Sequence, residues 1–390
     1  MFKKKLLFIT YSMPPEHSGA AKQALTLAKQ LKKEGFEIQF LTQASYAENI
    51  HNNLVEEFKV IRIFKGSLFF KALAPIRFFY NLVLFRDNFE IIHVHGIGYL
   101  SKIAVIFGIL FRKPVLLKMT MFTEDDPLSI INSKFGKLHF WFFSKANGYV
   151  AILDSFKQSY YSTSLDKEKL HIIPNGVDIN RFRPVKDHYE KTRLRKKLNL
   201  PDKKHLLIYA GIIRPEKGIE LLIESAKILN RANGNIHLVL IGPIEKWLPE
   251  IEQKAIRGYL EEFKTHGFIH YHGNQDNVEE YFRCADFFIS ASKKEGLQNV
   301  LLEAMASGLP SICTEISGMH ENILTSGEFV LIKNYDALSL AEAALSLLAN
   351  PDEQVKISKS ARSLILNKYN LTNVIEKYNL LYNQLNKLYK

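Results

Sequence analysis

Short apolar runs rich in β-branched residues alternate with longer amphipathic runs along almost the whole chain of 390 residues. Several apolar runs lack polar alternation, which is typical of strands buried on both faces of a parallel sheet. The intervening runs have the period and length of helices. This alternation predicts an α/β architecture. The predicted strands are residues 5–10, 37–42, 60–63, 91–95, 115–118, 148–151, 170–173, 205–210, 236–242, 269–272, 287–291 and 311–314.

The length of the chain indicates two domains of ordinary size, each able to bury its own core. The strand rhythm breaks near residues 181–201, where prolines flank a charged segment. We therefore predict one doubly wound, Rossmann-like domain over residues 1–183 and a linker over 184–203. A second such domain would span 204–371, and a Tyr- and Leu-rich helix would span 372–390.

Composition excludes several classes of protein. A hydrophobic content of 47% and a charged content of 24% indicate a soluble, folded chain. The two cysteines, Cys284 and Cys313, form no disulfide framework, which favours a reducing compartment. No apolar run reaches the ~20 residues that a membrane-spanning helix needs, and the apolar run that follows the N-terminal lysines is too short for a signal peptide. The sequence therefore predicts a cytoplasmic protein.

The net charge of +12 is unevenly distributed, because residues 1–180 carry 23 Lys/Arg and 15 Asp/Glu while the remainder carries 29 and 25. A basic first half suits an anionic partner, such as a membrane surface, a phosphorylated acceptor or nucleic acid. Residues 68–80 interleave Phe and Tyr with Lys and Arg, as at a membrane interface. Packing of this stretch on the sheet is an equally weighted alternative, so peripheral contact with the inner face of the cell membrane stays open.

The most informative motif places Glu295 in a Gly-containing loop and Glu303 inside an apolar helical run, with seven residues between them. Loop amide groups followed by a helix N-terminus form a receptor for phosphate. A carboxylate one or two turns into that helix can accept hydrogen bonds from sugar hydroxyl groups. The motif therefore predicts a site for a sugar joined to a diphosphate.

Two cations follow the predicted strand 205–210, just before a helix. Arg214 offers a planar fork of donors and Lys217 a point charge, and both suit a diphosphate. A solvated basic loop is the alternative interpretation, which would be preferred if the two cations stood alone. The downstream glutamates favour the binding role.

Taken in order, these segments resemble the signature of retaining glycosyltransferases of family 4. The resemblance covers residues 295–310, 211–218 and 173–178 together with Ser18 and Gly19, and so extends over most of the chain. It implies the GT-B fold, in which two Rossmann-like domains face each other across a cleft and the final helix crosses back to the N-terminal domain. It also implies a nucleotide-sugar donor and a metal-independent reaction without a cofactor.

The resemblance carries over roles residue by residue. Arg214 and Lys217 would stabilise the leaving diphosphate, Glu295 would contact the donor sugar, and Glu303 would bind the ribose hydroxyl groups. The N-terminal domain would hold the acceptor and the C-terminal domain the donor. The further donor-side positions are Gly19, Gly211, Gly273, Gly296, Leu297, Asn299 and Val300.

Two histidines, His93 and His95, end the predicted strand 91–95 on the same face of the sheet. His95 lies nearer the carboxyl end and is the better candidate for a catalytic role. The pair suggests a metal site, but no further ligand set stands at useful spacing. A buried, hydrogen-bonded histidine is an equal alternative for His95 and the favoured one for His93.

The sequence departs from the family pattern after residue 118, where family members often carry a histidine that lines the donor sugar site. Thr120 falls at about that position, and the acidic residues Glu124, Asp125 and Asp126 follow. One hypothesis is that a member of this trio orients or deprotonates the acceptor hydroxyl group. An acidic helix N-terminus is at least as good an interpretation.

The predicted function is that of a retaining glycosyltransferase of hexosyltransferase type, acting on a glycan or lipid-linked acceptor in surface polysaccharide or lipid-linked glycan biosynthesis. A nucleotide-sugar epimerase of the same fold is the enzymatic alternative. A basic nucleic-acid- or membrane-binding protein is the alternative from another class. No stacking motif or nucleic-acid module supports nucleic-acid binding. The sequence does not specify the base, the sugar, the acceptor or the linkage.

Overall fold

A computed structural model describes residues 4–16, 18–45, 53–64, 68–122, 124–244, 249–315 and 327–388, without the side chains of 68–71 and 388. The chain forms two compact units. The first comprises Met1–Gly176 and Leu371–Lys390, and the second comprises Val177–Asn370. The second unit is therefore inserted, in sequence, before the last helix of the first.

The first unit contains an eight-stranded sheet in the order β3-β4-β2-β1-β5-β6-β7-β8 among the described residues. All neighbouring strands are parallel except β3 and β4. The strands are β1 (Lys5–Thr10), β2 (Glu37–Ala44), β3 (Leu54–Val55), β4 (Phe58–Phe64), β5 (Ile91–His95), β6 (Val115–Met119), β7 (Gly148–Ala151) and β8 (Leu170–Ile172).

The second unit contains a six-stranded parallel sheet in the order β11-β10-β9-β12-β13-β14, again within the described ranges. The strands are β9 (His205–Ala210), β10 (Ile236–Ile241), β11 (Ile269–Tyr271), β12 (Phe287–Ser290), β13 (Ser311–Thr314) and β14 (Val330–Ile332). Each predicted strand is present within two residues of its predicted ends. This confirms the predicted α/β class with two Rossmann-like sheets.

Helices connect the strands in both units. Those of the first unit are Gly19–Lys33, Leu68–Leu84, Tyr99–Phe111, Pro127–Asn132, Gly136–Ser144, Ser155–Tyr161 and Leu371–Leu388. Those of the second unit are His188–Lys197, Ile219–Ala232, Glu250–Thr265, Val278–Cys284, Asn299–Ala306, Ala337–Ala349 and Pro351–Leu364. Short 3-10 turns lie at Arg86–Asn88, Lys167–Lys169 and Pro215–Lys217, and a π-helical turn lies at Ile365–Tyr369. Among the described residues, none of the helices combines the length and the apolar character that a membrane crossing requires.

Strand order reverses once in each sheet, between β1 and β5 in the first and between β9 and β12 in the second. Within each of these pairs, the connection from one strand and the connection from the other run in opposite directions. A crevice therefore opens between them at the carboxyl ends of the two strands. Ligands of open α/β sheets bind at such points. The predicted site residues follow β1, β5 and β6 in the first unit, and β9, β11 and β12 in the second.

The C-terminal helix Leu371–Leu388 packs into the core of the first unit, as the family resemblance implied. Its apolar face buries side chains such as Leu381 and Leu385 against the sheet. The Tyr382 hydroxyl lies 2.7 Å from His93 Nδ1 and fixes the helix to β5. The last two predicted residues of this helix, 389 and 390, lie outside the described residues.

The predicted linker 184–203 contains the helix His188–Lys197, which belongs to the second unit. Asp187 caps this helix by accepting a hydrogen bond from the Glu190 backbone N–H at 2.7 Å. The buried Arg195 guanidinium donates to Asp286 at 2.8 Å. The boundary is therefore corrected from residue 183 to 176, because the charges that suggested a solvated linker are paired inside the second unit.

Two observed strands were not predicted. β3 has two residues and pairs only with β4 at the edge of its sheet, and β14 has three residues at the edge of the other sheet. Runs this short carry no measurable period. Edge strands are also exposed on one side, so they lack the continuous apolar signal of the central strands.

We expect Tyr382→Phe to loosen the C-terminal helix, because His93 Nδ1 would lose its hydrogen-bond partner inside the core. The loss should reduce the free energy of local opening by about 1 kcal/mol. Amide hydrogen exchange in Leu371–Leu388 should then be about fivefold faster.

The matched control is Tyr378→Phe, one turn earlier in the same helix. The Tyr378 hydroxyl is buried without a hydrogen-bond partner among the described residues, so its removal should leave exchange unchanged or slower. Equal acceleration in both variants would show that the contact with His93 does not fix the helix.

Candidate functional site

Three loops meet at the carboxyl edge of the second sheet and are joined by backbone hydrogen bonds. The Gly211 amide donates to the Ile241 carbonyl at 2.8 Å, and the Ile213 amide donates to the Pro243 carbonyl at 2.9 Å. The Gly242 amide donates to the Gly273 carbonyl at 2.8 Å. These bonds extend the pairing of β9, β10 and β11 beyond the strands and fix the loop that carries the predicted cations.

Two glycines are required by close backbone approaches. Gly242 has φ +145°, and a Cβ there would lie 1.8 Å from the Gly211 carbonyl oxygen. Gly218 has φ +68°, and a Cβ there would lie 2.0 Å from the Ala291 carbonyl oxygen. Gly242 was not among the predicted site residues; a glycine directly after a buried strand and before Pro243 was the signal for it.

Lys217 and Glu295, which are 78 positions apart, form an ion pair. Lys217 Nζ lies 2.8 Å from Glu295 Oε1, and about a fifth of each side chain is exposed (19% and 20%). The Ser292 hydroxyl donates to the same Glu295 oxygen at 3.1 Å. The two loops are also joined by the Lys293 amide, which donates to the Glu216 carbonyl at 2.9 Å. The structure therefore brings together one cation and one carboxylate of the predicted set.

Arg214 lies on the same loop as Lys217 and has a partner that the sequence did not indicate. Its Nε and Nη2 atoms lie 3.3 Å from Glu252 Oε2, at the start of the helix Glu250–Thr265. Glu216 lies further away, with 3.7 Å between its carboxylate and Arg214 Nη1. Sequence spacing could not reveal Glu252, because nothing in it distinguishes this residue from the other acidic residues of an amphipathic helix.

The motif around Glu303 forms a loop and the helix Asn299–Ala306. Gln298 precedes the helix, no side chain caps its first turn, and Gln298 Nε2 donates to Ser290 Oγ at 2.6 Å. Gly296 and Leu297 are buried, and Asn299 and Val300 are half-buried. Glu303 is only 5% exposed on this helix.

In the first unit, His93 and His95 are both buried near the carboxyl end of β5. Burial lowers the pKa of both imidazoles well below the usual value, and neighbouring Lys118 lowers them further. Both rings are therefore neutral at pH 7. His95 Nε2 is buried and has no hydrogen-bond partner among the described residues.

Lys118 lies at the end of β6, and its Nζ donates to Asn175 Oδ1 at 2.9 Å. Burial lowers the pKa of Lys118 to about 7. Its charge is therefore only partly retained at neutral pH. Nothing in the sequence singled out this lysine, because its burial is visible only in the fold.

A cavity of about 170 Å³ opens beside His95 at the switch point between β1 and β5. Its lining includes Tyr11, Ser18, Thr120 and Asp125. Gly19 begins the helix Gly19–Lys33, and the Ser18 side chain caps that helix by accepting from the Ala21 amide at 3.4 Å. Of the predicted first-unit site residues, His95, Thr120 and Asp125 thus line one small cavity, whereas Gly19, Glu124 and Asp126 are not in its lining.

Asp125 and Asp126 are occupied by local hydrogen bonds. Asp125 Oδ2 accepts from the Thr120 amide at 2.7 Å, from the Thr120 hydroxyl at 2.8 Å and from the Met121 amide at 3.0 Å. Burial raises the pKa of Asp125, while these hydrogen bonds oppose the rise. Asp126 caps the helix Pro127–Asn132 and accepts from the Ser159 hydroxyl at 2.6 Å. These contacts favour a positioning role for both residues over proton transfer.

Glu124, the third member of the acidic trio, is exposed. It borders a larger cavity of about 400 Å³ in the first unit, which the sequence did not predict. Within the described ranges, no three His, Cys, Asp or Glu side chains converge as a metal ion would require.

Two family profiles cover most of the chain. The one described as Glycosyl transferases group 1 matches residues 190–364, and the one described as Glycosyltransferase Family 4 matches residues 17–181. The two sheets and the position of the final helix agree with the fold of this class. The chain belongs to the family 4 glycosyltransferases of the GT-B fold.

Individual relatives are distant. An N-acetyl-alpha-D-glucosaminyl L-malate synthase of Bacillus anthracis is 23% identical over 377 residues, which cover 94% of each chain. A D-inositol 3-phosphate glycosyltransferase of Xylanimonas cellulosilytica is 24% identical over 200 residues, and the match spans 51% of this chain and 47% of that protein. The chain thus spans only about half the length of the second relative.

Among solved structures, Anabaena Alr3699/HepE in complex with UDP and glucose superposes with a TM-score of 0.77. The two sequences are 16% identical, and the superposition covers 97% of this chain and 99% of the other. At this level of identity the likeness establishes the fold.

Gly218 and Gly273 allow a direct test of the close approach in the site. Both have a left-handed φ, +68° and +66°, but a Cβ at Gly273 would meet no atom within 4 Å. We expect Gly273→Ala to lower stability by about 1–2 kcal/mol through backbone strain alone. Gly218→Ala should cost a further ~1–3 kcal/mol, because the Ala291 carbonyl must move.

The urea midpoint of the second unit measures the difference. Equal midpoints for the two variants would mean that the loop of Gly218 moves without cost, and that its approach to Ala291 is not a constraint on the site.

Proposed function

We propose that this chain is a retaining glycosyltransferase that moves a sugar from a nucleoside diphosphate donor to a hydroxyl group of a glycan or lipid-linked acceptor. The observation that carries the proposal is the Lys217–Glu295 ion pair, with Arg214 on the same loop, at the switch point between β9 and β12. This arrangement offers a cationic loop beside a carboxylate. Both are needed to bind a sugar joined to a diphosphate.

The cations stabilise the leaving group. As the glycosidic bond to the donor breaks, negative charge develops on the diphosphate, and preorganised cations lower the energy of that state. Glu295 and Glu252 hold Lys217 and Arg214 in place before the donor binds. The diphosphate oxygens then replace these carboxylates as partners, which frees Glu295 to accept a hydrogen bond from a hydroxyl group of the donor sugar.

The helix Asn299–Ala306 supplies the second contact with the donor. Its first turn lacks a side-chain cap, so its N-terminus favours an anion. Glu303, one turn further along the same helix, would accept hydrogen bonds from the ribose hydroxyl groups. The backbone amides of Gly296, Leu297, Asn299 and Val300 would contact the sugar and the phosphates.

The proposed reaction assigns charge neutralisation to Arg214 and Lys217 and uses no metal ion or cofactor. The support for it is the pair of cations itself, which provides two positive charges on one loop beside Glu295. Turnover in the presence of excess EDTA is the direct check on this part of the proposal.

Relatives support the donor class without specifying it. Alr3699/HepE, which shares the fold, has been crystallised with UDP and glucose. Two relatives are named as an N-acetyl-alpha-D-glucosaminyl L-malate synthase and a D-inositol 3-phosphate glycosyltransferase. Retention of anomeric configuration follows from the family resemblance, and a role in surface polysaccharide or lipid-linked glycan synthesis is part of the same proposal.

On the acceptor side, we assign the contact with the reacting groups to His95. Its neutral ring borders the cavity at the end of β5, and its Nε2 atom has no partner in the part of the chain that the structure describes. Asp125 positions this edge by binding the Thr120 loop. Of the acidic trio, Glu124 is the exposed member and the remaining candidate for orienting the acceptor hydroxyl group.

We expect Arg214→Gln and Lys217→Gln each to weaken binding of the nucleoside diphosphate by about 10–100-fold, because each removes a charge-assisted hydrogen bond. Turnover should fall by about 100-fold or more. A thermal-shift screen across nucleoside diphosphates identifies the ligand, and isothermal titration calorimetry and product NMR then measure affinity, rate and anomeric configuration.

The control is Lys204→Gln, which removes the same charge at the opposite end of β9, where Lys204 Nζ donates to Asn235 Oδ1 at 2.9 Å. Wild-type affinity in the Arg214 and Lys217 variants would contradict the proposed donor site. Conversion of the donor sugar without any acceptor would favour the epimerase alternative.

A second part of the proposal concerns attachment to an anionic membrane. The helix Leu68–Leu84 exposes Ile76, Tyr80 and Leu84 at 67%, 63% and 57%. Their spacing of four residues forms one apolar stripe, and Arg77 is exposed beside it. The stripe lies in the basic half of the chain, so it combines the apolar and cationic features that interfacial helices use. The side chains of residues 68–71, which begin the predicted stretch, lie outside the described residues.

We expect the protein to float with vesicles that contain 30% phosphatidylglycerol at low salt. The triple variant Ile76→Ser, Tyr80→Ser, Leu84→Ser should lose most of this binding. The control carries Tyr189→Ser, Leu338→Ser and Val355→Ser, which replace exposed apolar residues of the second unit. If neither the wild-type protein nor the control floats, the attachment is rejected.

A further inference from the structure

The cavity of about 400 Å³ in the first unit is not used by the donor chemistry proposed above. It lies among the helices Tyr99–Phe111, Pro127–Asn132 and Gly136–Ser144, on the side of the sheet that follows β5 and β6. Its inner wall is apolar and includes Leu117 and Phe143. A volume of this size accommodates a small ligand or one end of a larger one.

Cationic side chains converge on this cavity from two helical segments. Lys102 projects from the first turn of the helix Tyr99–Phe111. Lys134 and His139 come from the turn before Gly136–Ser144 and from that helix itself. Within the described residues, neither lysine forms a salt bridge. Glu124 is the one acidic side chain among the described lining residues.

The surroundings of Lys102 and His139 disfavour a positive charge on either side chain. Burial lowers the pKa of the Lys102 ammonium, and burial together with the charge of Lys102 lowers the pKa of His139. Burial therefore disfavours the charged form of both groups, and His139 also has a positive neighbour in Lys102. An anion bound between these groups would reverse both effects, because an opposite charge favours the charged form.

The hydroxyl groups in the lining do not provide this compensation. The Ser101 hydroxyl donates to the Gly98 carbonyl at 2.7 Å, and the Ser133 hydroxyl donates to the Ile130 carbonyl at 2.7 Å. The Ser129 hydroxyl donates to Asp126 at 2.5 Å. Each of these protons is donated within the protein, and His139 Nδ1 lies 3.3 Å from the Ser133 hydroxyl. The two lysines and His139 Nε2 are therefore the donors that remain for a ligand.

We propose that this cavity binds an oxyanion, a phosphate or carboxylate carried by the acceptor, between Lys102 and Lys134. Charge-assisted hydrogen bonds from the two ammonium groups hold the anion, and the apolar wall contacts the carbon skeleton next to it. His139 adds a third donor once the anion is bound. The inference rests on the proposed glycosyltransferase function and adds the chemical class of its acceptor.

The position of the cavity is compatible with this role. Glu124 lies at its border, and Ile97 belongs to the lining of both this cavity and the smaller one beside His95. An acceptor held by its anionic end between the lysines therefore extends toward His95 with its other end. Two relatives, whose names specify malate and inositol phosphate, act with molecules that carry such anionic groups.

The experiment measures binding of inorganic phosphate by isothermal titration calorimetry at fixed ionic strength. The protein is first saturated with the nucleoside diphosphate selected by the thermal-shift screen, so that the donor site is filled. We expect one phosphate to bind to the wild-type protein. The double variant Lys102→Gln, Lys134→Gln should bind it at least about tenfold more weakly, because two charge-assisted contacts are lost.

The matched control is Lys137→Gln, Lys145→Gln, which removes the same net charge from the same region without touching the lining. It should bind phosphate as the wild type does. Equal loss in both double variants would overturn the proposal, since it would reduce the effect to general surface charge. Unchanged binding in Lys102→Gln, Lys134→Gln would overturn it as well.

Two further arms separate this inference from the proposed function and identify the source of the anion. The same titration in Lys217→Gln without nucleotide tests the cavity even if no donor binds. Dihexanoyl phosphatidic acid replaces inorganic phosphate in the last arm. Tighter binding of the lipid assigns the oxyanion to a lipid-linked acceptor, and equal or weaker binding assigns it to a soluble one.

Discussion

Parallel strand pairing is the constraint on which the rest of this structure depends. Because every connection in a parallel sheet crosses over a face, the carboxyl ends of all strands meet at one edge. The order of the strands then decides which loops diverge, and in both units this happens once. The predicted site residues, which are widely separated in sequence, follow the carboxyl ends of several of these strands for that reason.

Backbone hydrogen bonds make the second of these edges rigid enough for a charged site. The Gly211 and Gly242 loops continue the sheet beyond β9 and β10, so the loop of Arg214 and Lys217 starts from a fixed position. Gly218 then lets the next helix begin close to the end of β12. Without these approaches the cation loop and the Glu295 loop would stand further apart, and Lys217 would not reach its partner.

The sequence was sufficient to predict the elements that are marked by a pattern of consecutive residues. Continuous apolar runs predicted the central strands because burial on both faces leaves no room for polar side chains. The Glu295–Glu303 spacing and the cations after β9 indicated the same edge, since each motif combines a loop with the start of a helix. The C-terminal helix was placed correctly by family resemblance and not by its own pattern, because an apolar stripe does not specify which surface it covers.

The features that escaped prediction depend on long-range pairing. Residues 184–203 read as a linker because buried ion pairs, such as Arg195 with Asp286, have the composition of a solvated segment. Glu252 could not be recognised as the partner of Arg214 for the same reason. The cationic cavity needs three helices to come together, and the lysines that line it look in sequence like any others.

Burial explains why the two units offer different chemistry. In the second unit Lys217 and Glu295 are partly exposed and form an ion pair with each other. In the first unit His93, His95 and Lys118 are almost fully buried. Burial lowers the pKa of each, so at neutral pH the two imidazoles are uncharged and Lys118 is only partly charged.

The depressed pKa of Lys118 also has a thermodynamic consequence. The group binds a proton more weakly in the folded than in the unfolded chain, so its contribution disfavours folding most at pH values below about 7 and diminishes as the pH rises toward 10.5. The hydrogen bond to Asn175 and the contact of the ammonium group with the Tyr378 ring, 5.8 Å from its centroid, offset part of this cost. A buried lysine that destabilises its own domain is uncommon away from functional sites. Lys118 pairs in register with His95 on the neighbouring strand, which supports the proposal that this edge faces the acceptor.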